Sequence, residues 1–244
     1  MTAAGAEAYE RNAAAEAAAW RAQVLKPAGA LSGAARALQQ RINRAIPERV
    51  HKVVTAAIEQ MTRAILTGSG LINPSPIAGA SLQAREARAR ERIAFYRTAA
   101  AAEGGVTGAG GFLMAAADFP AFMAIKVKML FELAAIYGHP TADFGERLYI
   151  LHIFQLTFSS PEHRRDVLGE MTDWDARPHP QGVAEIDWRR FQQEYRDYID
   201  LAKLAQLLPV VGAPVGAVVN FRLTDRLGET AMNAYRLRWF AGRG

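Results

Sequence analysis

The sequence predicts an all-α protein: a single helical domain of about eight helices around a central apolar helical pair. Three observations predict it. Alanine is abundant in a chain that is 50% hydrophobic, and alanine has the best intrinsic helix propensity. Apolar residues recur at steps of three and four, the period of a helix face. No alternating β-rich block interrupts them, and no repeat at a solenoid period is present. With 244 residues the chain can bury a substantial core. It has no cysteine, which excludes disulfides and thiolate metal sites and fits a reducing compartment.

Residues 3–25 read as an alanine-rich helix ended by Pro27, and residues 28–46 as a second, looser helical stretch. Pro47-Glu48 opens a clearer helix, with Val50, Val54, Ala57, Met61 and Ile65 on one face. "TGSG" at 67–70 ends it, and a breaker-rich loop follows at 72–81. Residues 82–103 are helical: Arg85, Arg88 and Arg92 share one face, and Ala89, Ile93 and Tyr96 line another. "GGVTGAGGFLMAAADFPAFMAI" then runs from Gly104 to Ile125 with one charge, Asp118. A long apolar helix continues to Tyr137, with Gly138 as its C-cap and Pro140 beyond. Asp143 and Glu146 have capping-box spacing and open a helix to Phe158. Ser160-Pro161-Glu162 opens a short one, and residues 171–185 form a loop. From Ile186, Phe191, Tyr195, Tyr198, Ala202 and Ala205 form an amphipathic face. Residues 204–221 are a second uncharged run, and a last helix reaches Phe240.

The glycine cluster before Phe112 lacks the Gly-Lys-Ser/Thr of a phosphate loop and no strand precedes it. It is read as close helix packing or a hairpin bend. Gly104/Gly108 and Gly212/Gly216 each have G-x-x-x-G spacing, which lets helix backbones approach. The two uncharged runs are near the length of a membrane span. Asp118, Pro120, Pro209 and Pro214 oppose spanning. The runs are therefore read first as a buried hairpin, second as elements that dock on or enter a membrane reversibly, and last as permanent spans. Asp118 is read as the cap of the helix containing Pro120, with a buried acid as the alternative. Lys128 and Glu132 are spaced to pair, Lys126 to snorkel towards water or headgroups, and Asn220 to bond across the hairpin.

The five histidines make no zinc-binding spacing, and His152 reads as a core histidine. A metal site from His139, Asp143 and Glu146 competes with the capping box. No G-x-S-x-G elbow is present. No cofactor is expected, and the preferred reading is non-enzymatic. Residues 1–103 carry 14 Lys/Arg against 8 Asp/Glu, and residues 104–244 carry 15 against 16. This basic first half is read as a solvated surface, with anionic lipid as the sharper option. No motif supports nucleic acid. The N-terminal residues lack the pattern of a signal peptide, so the expected location is the cytoplasm, with the inner face of the cell membrane as the further option.

Two segments carry a family resemblance. One is the glycine cluster with Asp118, Pro120, the apolar helix ending in Tyr137-Gly138, and Glu146-Arg147. The other is Pro209-Val-Val-Gly212 with Gly216 and Asn220. Together they resemble the EcsC family of bacterial proteins over roughly residues 35–240. Residues 1–34 are then an alanine-rich extension and 35–244 the domain. The resemblance implies an all-helical, membrane-associated protein. The family's founding member is encoded beside an ABC transporter, and no settled activity comes with the family. The expected partner is a membrane surface or a membrane protein. The contacts would come from Phe112, Leu113, Met114, Phe119 and Phe122, aided by Arg85, Arg88, Arg92, Arg236 and Arg238. The alternatives are a soluble protein that binds a hydrophobic ligand between the two apolar segments, and an enzyme using Asp118. Trp239-Phe240 among arginines suits either a membrane interface or a docked terminal helix.

Overall fold

A computed structural model describes residues 3–26, 48–68, 73–109, 111–159, 163–185 and 213–242. The expected helices over 28–46 and from Ile186, the opening at 160–162, and Gly212 lie outside these residues. Seven α-helices and no strand are found among the described residues: α1 (Ala3–Leu25), α2 (Glu48–Thr67), α3 (Leu82–Ala109), α4 (Gly111–Tyr137), α5 (Phe144–Phe158), α6 (Arg164–Met171) and α7 (Ala213–Ala241). The all-α single-domain reading holds.

The expected faces are the buried ones. Ala57, Met61 and Ile65 of α2 are buried, as are Ala89, Ile93 and Tyr96 of α3. α5 is buried nearly all round and, with the second half of α4, forms the densest part of the core. Helix ends are closed by specific chemistry. The Ser81 Oγ accepts the Ala84 N–H at the start of α3 (3.3 Å). At the end of α4, Gly138 takes φ +97°. The His139 N–H then reaches the Ala134 carbonyl (2.9 Å) and the Gly138 N–H the Ala135 carbonyl (3.0 Å). That pair of bonds is a Schellman motif.

The most extensive packing is between α3 and α7. They run antiparallel, with Glu86 against Arg236, Ile93 against Gly228 and Arg97 against Asp225. α3 and α4 form a second antiparallel pair, with Arg92 and Tyr96 against Glu132 and Arg85 against the Ile136 carbonyl. The glycine cluster thus falls where α3 ends and α4 begins. The close helix approach among the described side chains lies elsewhere, at Gly228. A Cβ there would stand 2.6 Å from Cγ1 of Ile93. Ile93 is β-branched and stiff, so it cannot yield cheaply.

Several expectations are corrected here. Asp118 lies inside α4, well past its first turn, so it cannot be the helix's N-cap. Asp143 sits at the N-cap of α5 but makes no side-chain cap bond. Lys126 does not snorkel; it is wholly buried.

Gly228→Ala is expected to destabilise the fold by about 1–3 kcal/mol through overpacking. Chemical denaturation measures it, and Ile93→Ala in the same chain should recover part of the loss. An unchanged midpoint would show that α3 and α7 are not held at this spacing.

Candidate functional site

Among the described residues the bundle has a polar end and an end, called uncharged below, where the turns of α3, α4 and α7 carry no charge but Asp118, and α7 connects the two. At the polar end the Arg236 guanidinium is 6% exposed and grips the wholly buried Glu86 with two bonds, Nε to Oε1 at 2.7 Å and Nη2 to Oε2 at 2.6 Å. Glu86 also accepts from the Tyr9 hydroxyl (2.7 Å) and from Arg90 (2.9 Å), while Arg236 reaches Glu16 of α1 (2.9 Å). Burial pushes the Glu86 carboxyl up, but the bonds from Arg236 and Tyr9 outweigh it and hold the group below the usual range.

Two residues on, Arg238 donates two 2.8 Å bonds to Glu146 and also binds Asp175. His139 lies 3.7 Å from Glu146 and stacks on Tyr235. Burial first, and then the positive charge of Arg238, lowers His139 to about 4. His152 is lowered to about 4 by burial, against a hydrogen bond with Gln155. Every carboxylate of these clusters is thus committed to arginine, and the imidazoles are neutral at pH 7. Among the described residues no group of three or more His, Asp or Glu can hold a metal ion. What this chemistry does is lock α1, α3, α5 and the 173–176 loop to α7.

The uncharged end follows from helix register. Antiparallel pairing sets the last turns of α3, the first turns of α4 and the first turns of α7 at the same end of the bundle. These turns are the described helical parts of the run 104–125, whose one charge is Asp118, and of the uncharged run 204–221. On α7, Val218 is 51% and Phe221 36% exposed. Ala121 and Ala124 of α4 are exposed too. Behind them lie buried polar groups. Lys126 is wholly buried, and burial drives its ammonium well below its ordinary value while Glu103 pulls it back up. Asn220 is buried, and its Oδ1 accepts no hydrogen bond among the described residues. The expected bond from Asn220 across the hairpin is therefore not made through that oxygen.

The sequence-selected residues divide as follows. Arg85, Arg236 and Arg238 are not a basic surface: each is buried and spoken for. Arg85 donates to the Ile136 carbonyl (2.7 Å), closing the C-terminus of α4. Arg92 pairs with Glu132 (2.6 Å), which also accepts from Tyr96 (2.6 Å). Glu132 is therefore not Lys128's partner, and Lys128 is exposed. Arg88 is exposed, as a solvated residue would be. Glu146 goes to Arg238 instead of a capping box or a metal. Gly104, Gly108 and Gly216 lie in the helical turns of the uncharged end. Phe112, Leu113, Met114, Asp118, Phe119 and Phe122 belong to α4, and their side chains lie outside what is described. Trp239 and Phe240 are partly buried against the core. Sequence reading passed over Val218 and Phe221, because their spacing does not show which face of α7 the neighbouring helices leave open.

The model of the EcsC protein family matches residues 11–240. The chain belongs to the EcsC family. It is 42% identical over 224 residues to Protein EcsC of Bacillus subtilis, covering 91% of this chain and 93% of that protein. It is also 34% identical over 142 residues to the uncharacterized protein YdbA of the same organism, covering 57% of this chain and 52% of that one. No solved structure matches. The family match begins inside α1. In this EcsC-family chain, that helix is tied to the rest through Tyr9 and Glu16.

Two measurements test the polar end. Glu86→Ala should cost about 3–5 kcal/mol, because it strands a buried guanidinium. Glu16→Ala, whose side chain is 65% exposed, should cost less than about 1 kcal/mol. Equal losses would contradict the assignment. The second measurement is stability against pH. His139 and His152 titrate near 4 when folded and near 6.5 when unfolded. Between these values the unfolded chain binds more protons, so stability falls as pH drops from about 6.5 to about 4, by about 3 kcal/mol per histidine. His152→Gln should flatten that slope in urea titrations across the window.

Proposed function

We propose that this chain is an accessory module that docks peripherally on the cytoplasmic face of a membrane, through the uncharged end of its bundle. One observation carries the reading: three helix ends without a formal charge except Asp118 converge there, with Val218 and Phe221 standing exposed. An uncharged, apolar end loses little hydration on entering a headgroup layer and gains about 25 cal/mol for each Å² of apolar surface it buries. The opposite end carries the buried ion pairs that hold the helices in register. Among the described residues no helix is long and apolar enough to cross a membrane, in keeping with docking by a folded surface. Membership of a family whose resemblance implies membrane association supports the same reading.

Liposome co-sedimentation tests it. The chain should pellet with vesicles, and Val218→Asp with Phe221→Asp should lower the pelleted fraction severalfold at an unchanged melting temperature. A wild-type chain that stays in the supernatant with every vesicle composition, or a double variant that pellets as well as wild type, would overturn the proposal.

A further inference from the structure

A cleft of about 420 Å³ opens beside the uncharged end, between the end of α1, the end of α5, the start of α6 and α7. Its walls include Arg164, Arg222 and Arg226, together with Asp225, Glu229 and Trp20. Most arginines discussed above are committed to carboxylates or helix-end carbonyls. Arg222 and Arg226 are different: both are exposed, and among the described residues neither makes an ion pair. Of the two acids in the cleft, Asp225 is already held by Arg97 at 2.7 Å. Among the described residues the α7 wall of the cleft therefore offers two uncommitted guanidiniums, and guanidiniums suit the paired oxygens of a phosphate.

Position adds a second argument. Val218, Arg222 and Arg226 step by four along α7, so they lie on one face. Each step rises about 6 Å. The headgroup layer on either side of the hydrocarbon core is ~5–8 Å deep. With Val218 at the apolar boundary, Arg222 and Arg226 stand at and just beyond headgroup depth. The Arg97 guanidinium, lying 4.8 Å over the Phe221 ring, marks the same boundary.

We propose that this cleft binds the phosphate of an anionic phospholipid whose acyl chains lie along the uncharged end. This rests on the docking reading and adds the lipid class and the residues that select it. Arg222 and Arg226 bind the phosphate from α7, and Val218 and Phe221 meet the acyl region.

The test compares full-length chains on vesicles of phosphatidylcholine alone and of phosphatidylcholine with phosphatidylglycerol, at low and at raised salt. Wild type should partition better onto the phosphatidylglycerol vesicles, and salt should reduce the difference. Arg222→Glu with Arg226→Glu should lose that preference, by about tenfold in partition coefficient, while still binding phosphatidylcholine as wild type does. Arg11→Glu with Arg88→Glu changes charge equally at exposed positions of the polar end and should keep the preference. If the Arg222/Arg226 variant keeps its preference, or both double variants lose it alike, the cleft proposal falls and docking stands. If wild type binds no vesicle, docking itself fails. If inorganic phosphate raises the melting temperature of wild type but not of the Arg222/Arg226 variant, and vesicles show no anionic preference, the site takes a soluble anion and the lipid assignment is overturned.

Discussion

The antiparallel pairing of α3 with α7, stapled by Glu86 and Arg236, is the constraint on which the rest of the molecule depends. A carboxylate and a guanidinium buried together cost desolvation on both sides, and the bidentate geometry offsets it only in one register. A slip of one turn would leave both charges buried and unpaired. Gly228 sharpens the same choice, because α7 reaches Ile93 closely only where a side chain is missing. Once this register is set, the ends of α3, α4 and α7 must coincide.

That coincidence separates the bundle into two chemistries. One end joins five segments through arginine and carboxylate. The other holds turns that carry almost no formal charge, with a wholly buried lysine behind them. The separation is achieved along the helices themselves: α7 passes from Val218 through Arg222 and Arg226 to Arg236 and Arg238. Its cations change role as it goes, from solvent-facing to buried.

The arginines show why charge counts alone say little about partners. Arg85 closes the carbonyl end of α4, and Arg147 reaches the Leu66 carbonyl at the end of α2. Arg236 and Arg238 lock helices together. In sequence these residues look as available as Arg222 and Arg226. What distinguishes them is whether a distant carboxylate or an open helix end lies within reach, and those partners are up to 220 residues away along the chain.

Local chemistry was legible in the sequence. Helix periodicity chose the buried faces of α2 and α3, Gly138 announced the end of α4, and the glycine cluster announced the boundary between α3 and α4. These follow from forces acting within a few residues: side-chain spacing, backbone conformation and capping. The family, too, was carried by short motifs. Tertiary structure alone decided which arginines are surface and which are staples, that Lys126 is buried, and that Glu132 and Glu146 belong to Arg92 and Arg238. It also decided that Val218 and Phe221 stand exposed. Each of these is a matter of which helix lies across from which, and long-range register is set by burial and pairing between segments whose separation in sequence carries no information about their separation in space.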